Sequence, residues 1–291
     1  MNEKICLFAD STCDITHEEA ERWNIDIVPI QVTVGDTTYR EFYDITPEAY
    51  WDILMEAKEI PSTAQVSVES FQEQFQKAKE QGCTHCIGLT INGSGSGTYQ
   101  TACIVRDMFY EENGTDMKIE LIDSRTYAYI YGTVIVEAAK LREAGASAEE
   151  IIADMKDRLS RIRAYLGVYN LKHLRKSGRI SGGTAFVGDA LGMKPVSLVY
   201  QGSVDVCAKA RGDKNLVPKM VEIVKQEAVH PEEQTAYLLY AKVEPEYLDH
   251  AESLLREVGF ADVVRRPIGM AVTTNSGPQS VAIVFYGKPS A

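Results

Sequence analysis

The sequence predicts two α/β domains, the first built on a mostly parallel sheet and the second on a mixed or antiparallel one. Three observations carry this expectation. The chain has 291 residues, above the size that one hydrophobic core usually serves. Its first half alternates short apolar or β-branched runs with helical segments, as a parallel sheet with crossover helices requires. In its second half, Gln201-Gly202-Ser203 separates two strand-like runs tightly enough to signal a hairpin, which only antiparallel neighbours can use. The boundary falls between residues 160 and 161, giving an N-terminal domain 1–160 and a C-terminal domain 161–291.

Taken in order, Ile5-Cys6-Leu7-Phe8-Ala9 reads as a buried strand. Thr16-His17-Glu18-Glu19 is a capping box that opens a helix, the hydroxyl and the carboxylate each satisfying an orphan amide. Residues 25–34 alternate as a strand, and Thr46-Pro47-Glu48 starts a helix with a hydroxyl N-cap and proline in the first turn. Ser67 caps the next helix, residues 86–91 form a strand, and a helix runs from about Thr98 to Tyr110. A strand over 118–122 ends at Asp123-Ser124-Arg125. Two helices follow, 127–143 and, after the capping box Ser147-Ala148-Glu149-Glu150, one to about Arg161. The second half offers strands at 164–169, 196–200, 204–210, 236–243, 262–265 and 281–286.

Composition narrows the function. Hydrophobic residues at 45% and charged residues at 25% are an ordinary globular balance. The formal charge of −12 has the wrong sign for a protein held to nucleic acid or an anionic membrane by counterion release. No basic segment with a long apolar core opens the chain, and the stretch 267–287 is interrupted by Thr273-Thr274-Asn275-Ser276-Gly277-Pro278-Gln279, so a cytoplasmic protein without membrane insertion is expected. The six cysteines are read as reduced thiols in packed positions.

The sharpest local feature is Asn92-Gly93-Ser94-Gly95-Ser96-Gly97-Thr98, between a strand and a helix at the carboxyl edge of the sheet. Such a loop either offers backbone amides to an anion or is a turn whose glycines need positive φ. It is neither a Walker A loop nor a dinucleotide fingerprint nor a nucleophile elbow. A second hydroxyl-rich turn, Pro61-Ser62-Thr63-Ala64-Gln65-Val66-Ser67, precedes its own helix and can face the same anion, although Ser67 is also a plain N-cap. Asp10 and Asp14 suggest acid–base or metal chemistry on one reading and turn chemistry on the other. Cys83-Thr84-His85-Cys86 is a lone C-x-x-C leading into a strand, the wrong place for a redox dithiol. The histidines lie mostly in charged, exposed contexts, and none completes a hydrolytic triad. The basic run from Lys172 to Arg179 can grip a phosphate or an acidic partner, or is a solvated helix end.

Several segments together resemble the DegV family of bacterial fatty-acid-binding proteins over the whole chain: Asp10-Ser11-Thr12-Cys13-Asp14, Thr63-Ala64-Gln65-Val66-Ser67, Ser96-Gly97-Thr98-Tyr99-Gln100, Asp123-Ser124-Arg125, residues 171–181, Lys194-Pro195 and Gly277-Pro278. The resemblance implies a two-domain α/β lipid-binding protein that holds one long-chain fatty acid, such as palmitate, between its domains. It implies no catalytic residue, no metal and no cofactor other than the bound acid, whose carboxylate meets Thr63 and Ser96. Ser62, Gly97, Thr98, Arg211, Asn275 and Ser276 are implied as supporting or partner-facing positions. A separate fatty acid kinase would phosphorylate the bound acid, and the carrier would deliver the acyl phosphate to lipid synthesis. This chain departs from the family pattern at Ala64 and Val66, where serine and proline are usual, at Gly95, where leucine is usual, and at Asn275, where the family has histidine. The alternative is an enzyme acting on a phosphorylated or nucleotide substrate at Gly93–Gly97, with Asp10, Asp14 and Asp123 as its acid–base or metal groups.

Overall fold

The computed structural model describes residues 3–179 and 192–288. Strand β1 (Ile5–Asp10) is buried from Cys6 onward, as a parallel strand covered on both faces must be. It lies at the centre of a four-stranded parallel sheet ordered β2-β1-β6-β7, with β2 at Ile25–Val28, β6 at His85–Thr90 and β7 at Lys118–Asp123. Helices α1 (His17–Arg22), α3 (Val68–Glu80), α4 (Thr98–Asn113), α5 (Tyr129–Glu143) and α6 (Ala148–Arg161) complete this part of the chain. The caps at Thr16 and Ser67 accept the expected amides from Glu19 and Ser70. The Ser147 box is present too, with Glu150 reaching back to the Ser147 amide.

Aromatic packing fixes α3 and α4 on this sheet. Phe8 meets Phe71 and Phe75 edge-on with ring centroids 6.2 and 5.9 Å apart, and Phe75 meets Phe109 at 5.9 Å. Such pairs add about 0.5–1.5 kcal/mol each beyond the area they bury. Gly88 on β6 makes room for the Phe8 ring, into which any Cβ there would collide. A second, three-stranded antiparallel sheet, β4-β3-β5, was not expected: β3 is Gln31–Val34, β4 Thr37–Arg40 and β5 Ser62–Ala64. It matters because Thr63 lies on it, paired with Val32.

The other sheet has six strands in the order β10-β9-β8-β13-β11-β12 and is mixed, with one parallel pair, β11/β12. The strands are β8 (Ile162–Val168), β9 (Met193–Tyr200), β10 (Ser203–Arg211), β11 (Thr235–Tyr240), β12 (Asp262–Pro267) and β13 (Ser280–Tyr286). The β9–β10 hairpin turns on Gln201 and Gly202, both at positive φ, as a type I′ turn demands. Helices α8 (Leu216–Glu227) and α9 (Pro245–Val258) supply much of the core through Leu216, Met220, Leu248 and Leu255 against Tyr165, Leu238 and Phe285. Two short helices, α7 (Lys172–Ser177) and α10 (Met270–Ser276), pack on each other.

The chain forms two compact units, one of residues 1–45 and 62–159 and the other of 46–61 and 160–291. The expected division at 160 therefore leaves out one excursion. Helix α2 (Pro47–Glu56) joins the second unit because its apolar face, Tyr50, Trp51 and Leu54, is buried there. The Trp51 indole donates to the Ile268 carbonyl at 3.0 Å, and Tyr50 is hydrogen-bonded to Thr274. The expectation that all cysteines are reduced also needs correction. Cys6 and Cys83 form a disulfide, because β1 and β6 are neighbours and the turn before β6 returns to the start of β1; Cys13, Cys86, Cys103 and Cys207 are free.

Candidate functional site

The carboxyl ends of β1, β6 and β7 carry three polar turns, and buried side chains hold them in place. The Asp10 carboxylate is fully buried and accepts from the Thr12 amide at 3.1 Å, the Thr12 hydroxyl, the Tyr131 hydroxyl at 2.7 Å and the Ile91 amide at 2.6 Å. Burial pushes its pKa upward against the pull of these four donors. Ser11 accepts from the Ile30 amide and donates to the buried Glu41 at 2.8 Å. Asp123 accepts from the Gly93 amide at 2.9 Å and the Arg125 amide at 2.8 Å. Two carboxylates assigned to the enzyme alternative thus hold loop backbone, and Asp14 is the left-handed cap of the turn over 11–13.

The glycine loop departs from the positive-φ reading of its sequence. Gly93, Gly95 and Gly97 are absent from the residues at positive φ, so φ is not what requires them. Close approach is. A Cβ at Gly93 would lie 2.8 Å from Asp123 Oδ2, and Cβ atoms at Gly95 and Gly97 would collide with the Tyr127 hydroxyl and with Gln65. The loop amides are mostly turned inward. Those of Gly95 and Ser96 donate to the Asn92 carbonyl, that of Ser94 to Asn92 Oδ1, and that of Thr98 to Ser96 Oγ. Asn92 in turn donates to the Tyr127 hydroxyl at 2.7 Å. Among the described residues, the Gly97 amide is left without an acceptor at the N-terminus of α4, where the helix dipole favours an anion, and beside it the half-exposed Ser96 hydroxyl lies 2.9 Å from Thr98 Oγ1, a contact in which either oxygen can donate.

The Ser62–Val66 segment is fastened to this same turn. The Val66 amide donates to Thr98 Oγ1 at 3.3 Å, Gln65 Nε2 donates to Thr101 Oγ1 at 2.6 Å, and Gln65 lies against Gly97. Val66 supplies an N–H that a proline in its place would lack. Thr63 is half-buried, and its hydroxyl makes no hydrogen bond among the described residues; Ser62 is exposed. The structure therefore gathers Ser62, Thr63, Ser96, Gly97 and Thr98 in one unit. The sequence does not announce the holding role of Asn92, Gln65, Asp123 and Tyr127, of which Asp123 reads there as an acid–base or metal candidate. Only Asn92, an Asx turn before a glycine run, carried a local signal.

Arg211, Asn275 and Ser276 belong to the second unit. Arg211 ends β10 exposed and forms no ion pair among the described residues. Asn275 accepts from Arg179 at 2.9 Å and donates to the Ala271 carbonyl at 2.7 Å; Ser276 turns its hydroxyl into its own turn, toward Gly277 and Ser280. Most of the basic run 172–179 is α7 with its cations exposed, and Ile180 and Ser181 of the family-like segment 171–181 lie outside the described residues. His173 in it is buried, contrary to the exposed setting expected, with Nδ1 3.2 Å from the Thr274 carbonyl. Burial holds its pKa below 6.5. A depressed histidine stabilises the fold above its unfolded pKa and loses that contribution as pH falls through the folded value. The melting temperature is thus expected to fall below about pH 6.5 more steeply in the wild type than in His173→Gln. Parallel curves for the two proteins between pH 5 and 8 would remove His173 from this role.

The DegV family model matches residues 4–288, and the chain belongs to that family. A DegV domain-containing protein of Caldanaerobacter subterraneus subsp. tengcongensis is 30% identical over 287 residues, covering 98% of this chain and 100% of its own. Among solved structures, a DegV family protein from Thermus thermophilus described for its fatty acid binding superposes with a TM-score of 0.87 at 26% identity, covering 98% of this chain and 100% of that one. A stearic acid-binding protein from Eubacterium ventriosum gives 0.84 at 26% identity, with 98% of each chain covered. Among the described residues no helix is long and apolar enough to cross a membrane.

Proposed function

We propose that this protein is a carrier that binds a long-chain fatty acid and presents it to a separate fatty acid kinase, without turnover of its own. The carboxylate is taken by the Ser96 hydroxyl, with the Gly97 amide beside it, and by Thr63. The observation that carries this reading is the unused Gly97 amide beside the half-exposed Ser96 hydroxyl at the start of α4, in a loop whose other amides are bonded internally. Thr63 supports it: in an extended segment residues two apart share a side, and Gln65 reaches the first turn of α4. Neutral donors leave no buried cation behind when the ligand departs. The acyl tail supplies most of the affinity, at about 0.8 kcal/mol per buried methylene before binding costs, while the head-group contacts select the anion.

The enzyme alternative finds less support, because Asp10 and Asp123 already accept several internal hydrogen bonds. Denaturing mass spectrometry of the protein purified from bacteria, followed by titration of delipidated protein with palmitate, tests the proposal. A co-purified C14–C18 acid and micromolar or tighter binding are expected. A bound nucleotide with no lipid, or no binding of palmitate, would overturn it.

A further inference from the structure

Thr98 is fully buried, and its hydroxyl has two recorded neighbours, the Val66 amide at 3.3 Å and Ser96 Oγ at 2.9 Å. An amide can only donate, so Val66 occupies the acceptor side of the Thr98 oxygen. The Thr98 proton then has one described oxygen to meet, Ser96 Oγ. In the opposite arrangement Ser96 would donate to Thr98, and the Thr98 proton would stay buried without an acceptor, which folded proteins avoid. Ser96 Oγ also accepts from the Thr98 amide at 3.3 Å. Both acceptor directions of Ser96 are thereby filled by one residue, and its own proton is left over, on a half-exposed side chain next to the free Gly97 amide.

We propose that Thr98 is a positioning residue that turns the Ser96 hydroxyl outward as an obligate donor, so that the turn accepts an ionised carboxylate in preference to a neutral head group. This rests on the head-group reading above and adds its direction: the donor character of Ser96 is set by its neighbour. Val66 is part of the device, since its N–H is what commits the Thr98 oxygen. The consequence for the ligand is that binding favours the deprotonated acid and lowers the pH at which the bound carboxyl titrates.

The test compares the wild type with Thr98→Val, Thr98→Ser and Ser96→Ala in calorimetric titrations with palmitate and hexadecanol, together with carbon-13 NMR titration of bound carboxyl-labelled palmitate. Thr98→Val is expected to weaken palmitate binding about tenfold, to leave hexadecanol within about threefold, and to raise the titration midpoint of the bound acid by about one pH unit. Thr98→Ser, which keeps the hydroxyl, is expected to restore all three. Thr98→Ala serves the same comparison if the valine variant does not fold. Wild-type palmitate affinity in the variants without the hydroxyl would overturn the inference. So would an equal loss of acid and alcohol with an unchanged midpoint, which is what mere packing damage gives. Loss in Ser96→Ala without loss in Thr98→Val refutes the role of Thr98 alone, whereas unchanged binding in Ser96→Ala refutes the head-group reading beneath it.

Discussion

Thr63→Val and Ser96→Ala are each expected to weaken fatty-acid binding by about tenfold or more, because a hydrogen bond to a charged group is worth roughly 1.5–3 kcal/mol. The two hydroxyls come from separate elements, β5 and the turn before α4, yet Val66–Thr98 and Gln65–Thr101 tie those elements together. Loss of one hydroxyl lets the carboxylate shift toward the other and cushions each single loss, so the double variant is expected to lose more than the sum of the single losses. Fatty alcohols of the same length are expected to bind the wild type less tightly and to lose less on substitution. Calorimetric titration of acid and alcohol against all four proteins decides the matter. Unchanged acid affinity in both single variants, with circular dichroism intact, would place the head group elsewhere.

The second large effect concerns Gly132, at the end of the first turn of α5. At an ordinary solvent-facing helix position, exchanging glycine for alanine gains up to about 1 kcal/mol in helix propensity. Here the opposite sign is expected. A Cβ on Gly132 would collide with the carbonyl oxygen of Cys13 and lie 2.8 Å from the Tyr129 ring, and the first of these is backbone, which cannot swing aside as a side-chain tip can. The helix cannot retreat freely either, since the neighbouring Tyr131 donates to Asp10 at 2.7 Å and Asp10 caps the turn containing Cys13. Overpacking of this kind costs about 1–3 kcal/mol, more than the propensity gain returns. Gly132→Ala should therefore lower the urea midpoint with an unchanged slope, and Gly132→Val should lower it further. A midpoint equal to or above the wild type's would show that α5 does not approach the turn so closely.

Features decided by near neighbours were legible in the chain. The caps at Thr16, Thr46, Ser67 and Ser147 all form, because a cap involves only the next three residues. The hairpin at Gln201-Gly202 forms for the same reason. The β4-β3-β5 sheet is not legible in the sequence because its strands are three or four residues long and β5 pairs with β3 across the whole α2 excursion, too far for a local pattern to report. Helices α8 and α9 lack the side-chain N-cap bonds that announce α1, α2 and α3, so their starts carry a weaker local signal. At the candidate site, the positions of Thr63 and Ser96 were visible as hydroxyls before helices. The reason for the glycines was not, since it resides in Asp123, Tyr127 and Gln65, each remote in the sequence.

The placement of α2 also sets an order of events at the ribosome. The residues of the first unit are all synthesised by position 159, but Trp51 must wait 217 residues for the Ile268 carbonyl it binds and Tyr50 must wait 224 for Thr274. At bacterial elongation speeds that interval is roughly 10–40 s. Over the second half of it, once residue 159 has been made, a helix carrying Tyr50, Trp51 and Leu54 stays tethered to a completed first unit with its greasy side unclaimed. The nascent chain therefore carries a sticky appendage until nearly the last strand emerges. That is the interval in which a chaperone would have most to shield, and a chain released early, at 160, would keep the appendage permanently.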